Sequence, residues 1–199
     1  MVFYDKLKWI LGILMIFVLI IATNLIDKNN FVRVRDSVVT IYQDRLIAND
    51  LIFEMLKSVQ QKELAVSLSD STFFQNQNSK VNDNLQSLVS RFEQTKLTSK
   101  EEKVFADLKT NIQTLIDSES QFLNSGYSDN SQIITHIESL KNNLNDLSKI
   151  QLNEGSRQMS ISKRALDTIE LFTQIEIYIL VFLAILVQVI VMYKPKEKS

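Results

Sequence analysis

The stretch that decides the fold runs from residue 105 to residue 122 and reads FADLKTNIQTLIDSESQF. One face of this stretch recurs at alternating steps of three and four residues, and its positions are Phe105, Leu108, Ile112, Leu115, Glu119 and Phe122. This spacing is typical of an α-helix whose buried seam packs in a bundle or a coiled coil. The stretch therefore predicts one long amphipathic helix.

The same alternation occurs in three other parts of the chain. The stripes are Val38, Ile41, Arg45, Ala48, Ile52, Met55 and Val59; Phe74, Asn78, Val81, Leu85, Leu88 and Phe92; and Ile133, Ile137, Leu140, Leu144 and Leu147. The whole chain has three glycines and one proline, too few turn residues for a β-rich domain of this size. We predict an all-α fold whose four helices cover about 27–68, 71–97, 99–125 and 129–172.

The breaks between the stripes carry capping residues. Residues 68–71 (LSDS) close the first helix and cap the second, and Gly126 ends the third with a left-handed residue. Two overlapping capping boxes begin the third helix, Thr98 with Glu101 and Ser99 with Glu102, and the fourth is capped by Ser128, Asp129 or Asn130. Because the connections are short, we predict an antiparallel up-down-up-down bundle.

Two apolar runs flank these helices. Residues 9–26 (WILGILMIFVLIIATNLI) carry no charge, and residues 177–193 read IYILVFLAILVQVIVMY. A membrane-spanning helix needs about 20 mostly apolar residues. We therefore predict transmembrane helices at 9–26 and 173–193, continuous with the first and last helices of an extracytoplasmic bundle at 27–172, with a leader at 1–8 and a tail at 194–199.

The charges near the runs predict the orientation. Lysines precede the first run and follow the second, namely Lys6, Lys8, Lys194, Lys196 and Lys198. Positive flanks favour the cytoplasmic side, so we expect a two-pass protein of the bacterial inner membrane with both termini in the cytoplasm and the bundle in the periplasm. Gln188 lies within the second run and is a weak candidate for contact with a partner in the membrane. The formal net charge of −1 gives no reason to expect nucleic acid as a partner.

The first and fourth predicted helices are longer than the second and third. Their buried stripes become polar where they extend beyond the shorter pair. The first helix carries YQDR at 42–45, and the fourth carries Gln151, Glu154, Gly155, Arg157 and Gln158. Three interpretations remain open: solvated or intrahelical pairing, a dimer contact, and a ligand site in which Arg45 and Arg157 face an anion. Tyr42, Arg45, Glu154 and Arg157 are accordingly weak candidates for ligand binding.

The chain shows no arrangement typical of catalysis. It has no cysteine and a single histidine, His136, without the paired Glu-x-x-His motifs of metal sites in bundles. Phosphate-binding glycine loops and nucleophile elbows are also missing from the sequence. We expect no enzymatic activity, no metal site and no cofactor.

The order of span, bundle and span, together with YQDRL at 42–46, resembles the four-helix bundle sensor domain of methyl-accepting chemotaxis proteins, in which a Y-x-D-R-L pattern is frequent. The resemblance covers about residues 5–193 and implies a sensor fold and a homodimer. It departs from the family after the second span, because KPKEKS at 194–199 leaves no HAMP linker or signalling hairpin. It does not identify ligand-contacting residues.

Two functions follow as hypotheses. In the first, the protein is a sensory accessory that binds a ligand or a protein outside the membrane and acts in signal transduction or chemotaxis through partner proteins. In the second, it is a structural or assembly subunit of a larger membrane complex, and the bundle is a periplasmic spacer.

Overall fold

The computed structural model describes residues 2–127 and 130–192, and it describes the side chains of 14–127, 130–183, 185 and 186. All regular elements in this part of the chain are helical. They are α1 (Val2–Thr40), a π-helical segment (Ile41–Leu46), α2 (Ile47–Ser67), α3 (Ser71–Asn76), α4 (Asn78–Glu93), α5 (Ser99–Asn124) and α6 (Ser131–Met192). The prediction of an all-α fold is confirmed.

The second predicted helix differs most from its expected form. It is divided into α3 and α4 at Gln77 and ends at Glu93, whereas the sequence predicted one helix over 71–97. Residues 75–79 read QNQNS, and asparagine and serine compete with the helix by bonding to nearby backbone. At the other end, the amides of Gln94 and Thr95 bond to carbonyls three residues earlier, which tightens and closes the last turn.

Two of the predicted N-caps are present in the structure, and of the two predicted capping boxes only that of Thr98 with Glu101 forms. The Asp70 side chain accepts a bond from the amide of Phe73, and α5 begins with a capping box between Thr98 and Glu101. Because α5 begins at Ser99, Glu101 rather than Glu102 occupies its third position. Ser128 and Asp129 lie outside the described residues, and α6 begins directly after Asn130.

The turn after α5 contains two consecutive left-handed residues. Gly126 has φ +65°, as predicted, and Tyr127 has φ 66°. A left-handed tyrosine is unusual. Its ring packs against two core phenylalanines, Phe74 at 6.1 Å and Phe122 at 5.4 Å between ring centroids. These contacts hold Tyr127 in its conformation.

Residues Val39–Gln158 form one compact unit, and pairs of bonded side chains give the helix directions within it. The pairs are Lys62–Asn78 and Ser58–Asn84 between α2 and α4, Glu93–Lys109 and Asn82–Glu119 between α4 and α5, and Glu63–Lys141 and Asn49–Ser148 between α2 and α6. In each set the residue number rises on one helix as it falls on the other. These neighbouring helices are therefore antiparallel.

The core of this unit is built from the predicted stripes. Met55, Leu88, Leu108 and Leu140, one from each of α2, α4, α5 and α6, are buried together in a single apolar cluster. Burying such side chains contributes about 1.5–3 kcal/mol each and is the main source of stability. The four stripes predicted from the sequence are thus the packed faces of the bundle.

One position of the first stripe is wrong. Val38 is 54 % exposed, and the neighbouring Ser37 is 5 % exposed. A π-helical turn closes its hydrogen bonds over five residues instead of four, so it contains one extra residue. The sequence prediction counted back from Arg45 at regular α-helical spacing. Because of the extra residue in Ile41–Leu46, it assigned the buried position to Val38 instead of Ser37.

The other compact unit consists of the described residues before Val39 and after Gln158. Within it, large apolar side chains of α1 are exposed, for example Leu14, Met15 and Phe17 at 61 %, 70 % and 64 %. In the searched part of the chain, one helical stretch, Leu14–Ser67, contains a window apolar enough to cross a membrane, by length and composition. The predicted span at 173–193 lies partly among residues whose side chains are not described.

Candidate functional site: two buried polar clusters

The first buried polar cluster, called the Lys62 cluster, consists of Lys62, Asn78, Asn82 and Glu119. The Lys62 side chain is completely buried, and its Nζ donates to the carboxylate of Glu119 and to Oδ1 of Asn78. The second oxygen of Glu119 accepts from Asn78 Nδ2 at 2.7 Å and from Asn82 Nδ2 at 3.1 Å. The cluster joins α2, α4 and α5 inside the core.

Burial perturbs the ammonium group of this cluster. The pKa of Lys62 lies below its ordinary value of 10.5 because burial disfavours the charged form, while the Glu119 carboxylate opposes this shift. A buried ion pair offsets its desolvation cost only when the geometry is good and the remaining polar atoms are bonded. The two asparagine amides fulfil that condition at Glu119.

The second cluster, called the Arg45 cluster, consists of Arg45, Glu101, Gln151 and the backbone carbonyl of Lys96. Arg45 Nη1 donates to Glu101 Oε1 at 2.8 Å and to Gln151 Oε1 at 3.0 Å, and Nη2 donates to the Lys96 carbonyl at 3.3 Å. Glu101 is completely buried, and Arg45 and Gln151 are 7 % and 2 % exposed. This cluster joins the π-helical segment, the turn before α5, α5 itself and α6.

Glu101 serves the fold in two ways at once. Its Oε2 accepts a bond from the amide of Thr98 at 2.6 Å, which completes the capping box, while its Oε1 binds Arg45. Helix N-termini favour negative charge, so the carboxylate is stabilised by both the helix dipole and the guanidinium. The sequence indicated only the capping role.

Arg45 lies in an unusual backbone segment. The residues of the YQDRL motif belong to the π-helical segment Ile41–Leu46, and the amide of Ile47 bonds to the carbonyl of Tyr42, five residues earlier. Short π-helical turns occur frequently at functional positions. Two N–H groups of the cluster, Arg45 Nε and Gln151 Nε2, are buried and have no acceptor among the described protein atoms.

The structure does not join the four residues predicted as ligand candidates in one bonded group. Arg45 is buried and pairs across the bundle, so solvated or intrahelical pairing is the wrong interpretation for it. Arg157 instead pairs with Glu154 one turn away on α6 at 2.7 Å, and this pair is partly exposed. Tyr42 is 61 % exposed on the outer surface. The side chain of Gln188 lies outside the described part of the structure.

Sequence reasoning missed Lys62 as a core residue. It continues the first stripe three residues after Val59 and four before Val66, both of which are buried. Glu119 and Asn78 already stood on predicted stripes, but nothing in the pattern connected them. The signal that could have identified the pair is that Lys62 continues one apolar stripe and Glu119 lies within another.

The described residues contain no group of three or more histidine, cysteine, aspartate or glutamate side chains placed to hold a metal ion. His136 lies half-buried on α6. The two clusters instead consist of matched charges and amides, an arrangement that orients helices.

The comparisons agree with this architecture. Residues 4–166 match the family model described as a four helix bundle sensory module for signal transduction, which confirms the resemblance predicted from the sequence. Neither the curated proteins nor the solved structures gave a match. Since the matched residues cover most of the chain, the protein belongs to the family of four-helix-bundle sensory modules.

Proposed function

We propose that this protein is a membrane-anchored, chemoreceptor-like sensor whose bundle binds a ligand or a protein outside the cytoplasmic membrane. The observation that carries the proposal is the family match over residues 4–166, which includes the first apolar run and all four helices of the bundle. The word "sensory" in the family description supports ligand or partner recognition by the bundle, and "signal transduction" supports an output through partner proteins.

The proposal of two membrane spans is supported by apolar side chains on both long helices. On α6, Tyr178, Phe182 and Ile185 are 73 %, 61 % and 55 % exposed. Contiguous apolar surface of this kind is rare on soluble proteins, and lipid covers it in membrane-spanning helices. The lysine flanks support a cytoplasmic location for both termini and an extracytoplasmic bundle.

The proposed homodimer has a candidate surface on the first helix of the bundle. Tyr42, Leu46 and Phe53 recur on one face, and they are 58–61 % exposed. Exposed apolar patches with this periodicity are typical of helix–helix contacts. Because Tyr42 belongs to this face, it is a candidate for a dimer contact as well as for ligand binding.

The structure changes which predicted ligand residues are favoured. Arg45 already has a carboxylate partner in Glu101, and Arg157 has one in Glu154. A ligand anion would have to compete with both carboxylates. We therefore place recognition on the exposed surface that includes Tyr42, and we assign Arg45 to the structure of the bundle.

Cysteine chemistry tests topology and dimerisation together, because the natural chain has no cysteine. A full-length Gln60→Cys variant should react with a membrane-impermeant maleimide in intact cells, and a Leu46→Cys variant should form a disulfide-linked dimer. An exposed residue on another face, Gln113→Cys, is the matched control for dimerisation. Protection of Gln60→Cys in intact cells would contradict the proposed orientation.

Recognition and output require separate measurements on the full-length protein in lipid nanodiscs. A screen of small molecules by thermal shift should find a ligand that raises the melting temperature, and the ligand should lose affinity in a Tyr42→Ala variant. Photocrosslinking from position 188 should capture a second copy or a signalling protein. Adducts confined to a transport or secretion complex, with no ligand found, would favour the structural subunit over the sensor.

A further inference from the structure

The two ion pairs join the same two helical stretches at matching intervals. Arg45 and Glu101 are 56 residues apart in the chain, and Lys62 and Glu119 are 57 residues apart. The residue numbers therefore rise together on both stretches, which means that α2 and α5 run parallel. The intervals of 17 and 18 residues correspond to about 26 Å along each helix.

Both cations belong to the continuous stretch formed by the π-helical segment and α2, and both carboxylates belong to α5. Between the two clusters, the facing residues of α2 and α5 are apolar, including Ala48, Met55, Leu108 and Leu115. Apolar contact is non-directional, and a stripe with alternating three–four spacing offers similar packing after a shift of one or two turns. The apolar core alone therefore specifies the axial position of these helices weakly.

The polar clusters do not tolerate such a shift. Sliding α2 along α5 by one turn, about 5.4 Å, would separate both ion pairs and leave four charges buried without partners. Each cluster also includes one antiparallel helix: Asn78 brings α4 to Lys62, and Gln151 brings α6 to Arg45. The helices α2, α4, α5 and α6 are thus each bonded within at least one cluster.

We propose that the Arg45 cluster and the Lys62 cluster form a two-point register lock that holds the four helices of the bundle at one axial position. A single buried polar contact can specify register in helical assemblies. Here two contacts near opposite ends of the bundle do so, and loss of one cluster frees its end of the bundle. The proposal concerns the bundle itself and is independent of whether the protein is a sensor.

The test measures helix register directly in the full-length protein in nanodiscs. Spin labels are placed at Gln60→Cys on α2 and Lys103→Cys on α5, two exposed positions. They lie about 20 Å apart along the axis, because an offset of 57 residues places Gln60 beside residue 117. Their distance, measured by pulsed electron paramagnetic resonance, therefore changes when α2 slides along α5. The natural bundle should give one narrow distance.

An apolar variant of the Lys62 cluster, Lys62→Met/Asn78→Leu/Glu119→Leu, removes the directional contacts while retaining side-chain volume. It should fold with unchanged or raised thermal stability, because buried ion pairs are often replaced by apolar residues without loss. Its distance distribution should broaden, because this end of α2 is then free to shift along α5 while the Arg45 cluster still holds the other end. The matched control is Glu93→Gln/Lys109→Gln, which neutralises a half-exposed pair between α4 and α5 and should leave the single peak unchanged.

A folded apolar variant that retains the single narrow distance would overturn the proposal. If this variant does not fold, the same distance is measured in Arg45→Met/Glu101→Gln, in which the glutamine preserves the capping box. That variant should broaden the same distance. Failure of both variants to fold would also contradict a register lock, because the bundle would then depend on these charges for stability and not only for alignment.

Discussion

Glu101 lies 2.8 Å from Arg45 and caps its own helix at the same time, so one carboxylate connects the start of α5 to the π-helical segment 56 residues earlier. This relationship joins a local signal, the capping box, to a tertiary one, the buried ion pair. It also makes the two contributions separable by substitution, since glutamine can replace glutamate in a capping box.

Substitutions at Glu101 should have graded effects on stability. Glu101→Gln retains the capping box but leaves Arg45 without its counter-charge, and we expect a loss of about 3–5 kcal/mol in the free energy of unfolding. Thr98→Ala removes only the other half of the box and should cost about 1 kcal/mol. Urea unfolding of the full-length protein, followed by circular dichroism, measures both. An unchanged free energy of unfolding in Glu101→Gln would show that the ion pair contributes nothing beyond the cap.

Lys62 and Glu119 should behave as one unit. Lys62→Met alone leaves the Glu119 carboxylate buried without its cation and should cost about 3–5 kcal/mol. Adding Glu119→Leu and Asn78→Leu should restore that loss in full, because no buried charge then remains. The sum of the single losses should therefore exceed the loss in the combined variant by several kcal/mol, a coupling measured by a mutant cycle. Additive losses would show that the pair is not coupled.

The lowered pKa of Lys62 predicts a pH dependence of stability. Between this pKa and the ordinary value of 10.5, the unfolded chain binds the proton and the folded chain does not. Stability attributable to Lys62 therefore rises with pH in this interval and is lost as pH falls through the folded pKa. The melting temperature of the natural protein should rise with pH there relative to the combined apolar variant, which lacks the group. A parallel pH dependence in the two proteins would contradict the shift.

Two glycines should respond to alanine in opposite ways. Gly126 has φ +65°, where an L-residue is strained, so Gly126→Ala should lower stability by about 1 kcal/mol. Gly155 lies within α6, and apart from its chain neighbours and the adjacent backbone of its own helix no atom lies within 4 Å of the point that an alanine methyl group would occupy. Gly155→Ala should therefore raise stability by about 0.5–1 kcal/mol. The melting temperatures of the two full-length variants show whether each substitution raises or lowers stability. A loss at Gly155 would indicate a contact made outside the single chain, such as in the proposed dimer.

Much of the fold was readable from local patterns. The stripes at 85–92 and 105–122 predicted buried faces, and Leu85, Phe92, Phe105 and Phe122 are all buried. The capping box at Thr98 and the left-handed Gly126 were also predicted correctly. These features depend on residues within one or two turns of each other, so their physical causes are contained in short stretches of chain.

Two of the errors have a shared origin in backbone irregularity. The π-helical segment moved the buried position from Val38 to Ser37, and the break at Gln77 divided one predicted helix into two. Both arise where a local deviation of the backbone changes the helical phase or direction. Regular spacing rules assume a constant period and cannot detect these changes.

The sequence alone determined that the chain is helical, which faces of the helices are mostly buried and where most helices end. Only the tertiary structure decided that Lys62 meets Glu119 and that Arg45 meets Glu101 and Gln151. Helical periodicity specifies the face on which a side chain lies, because that depends on neighbours along the chain. The partner across the bundle depends on the axial alignment of separate helices, and alignment exists only after they have packed together.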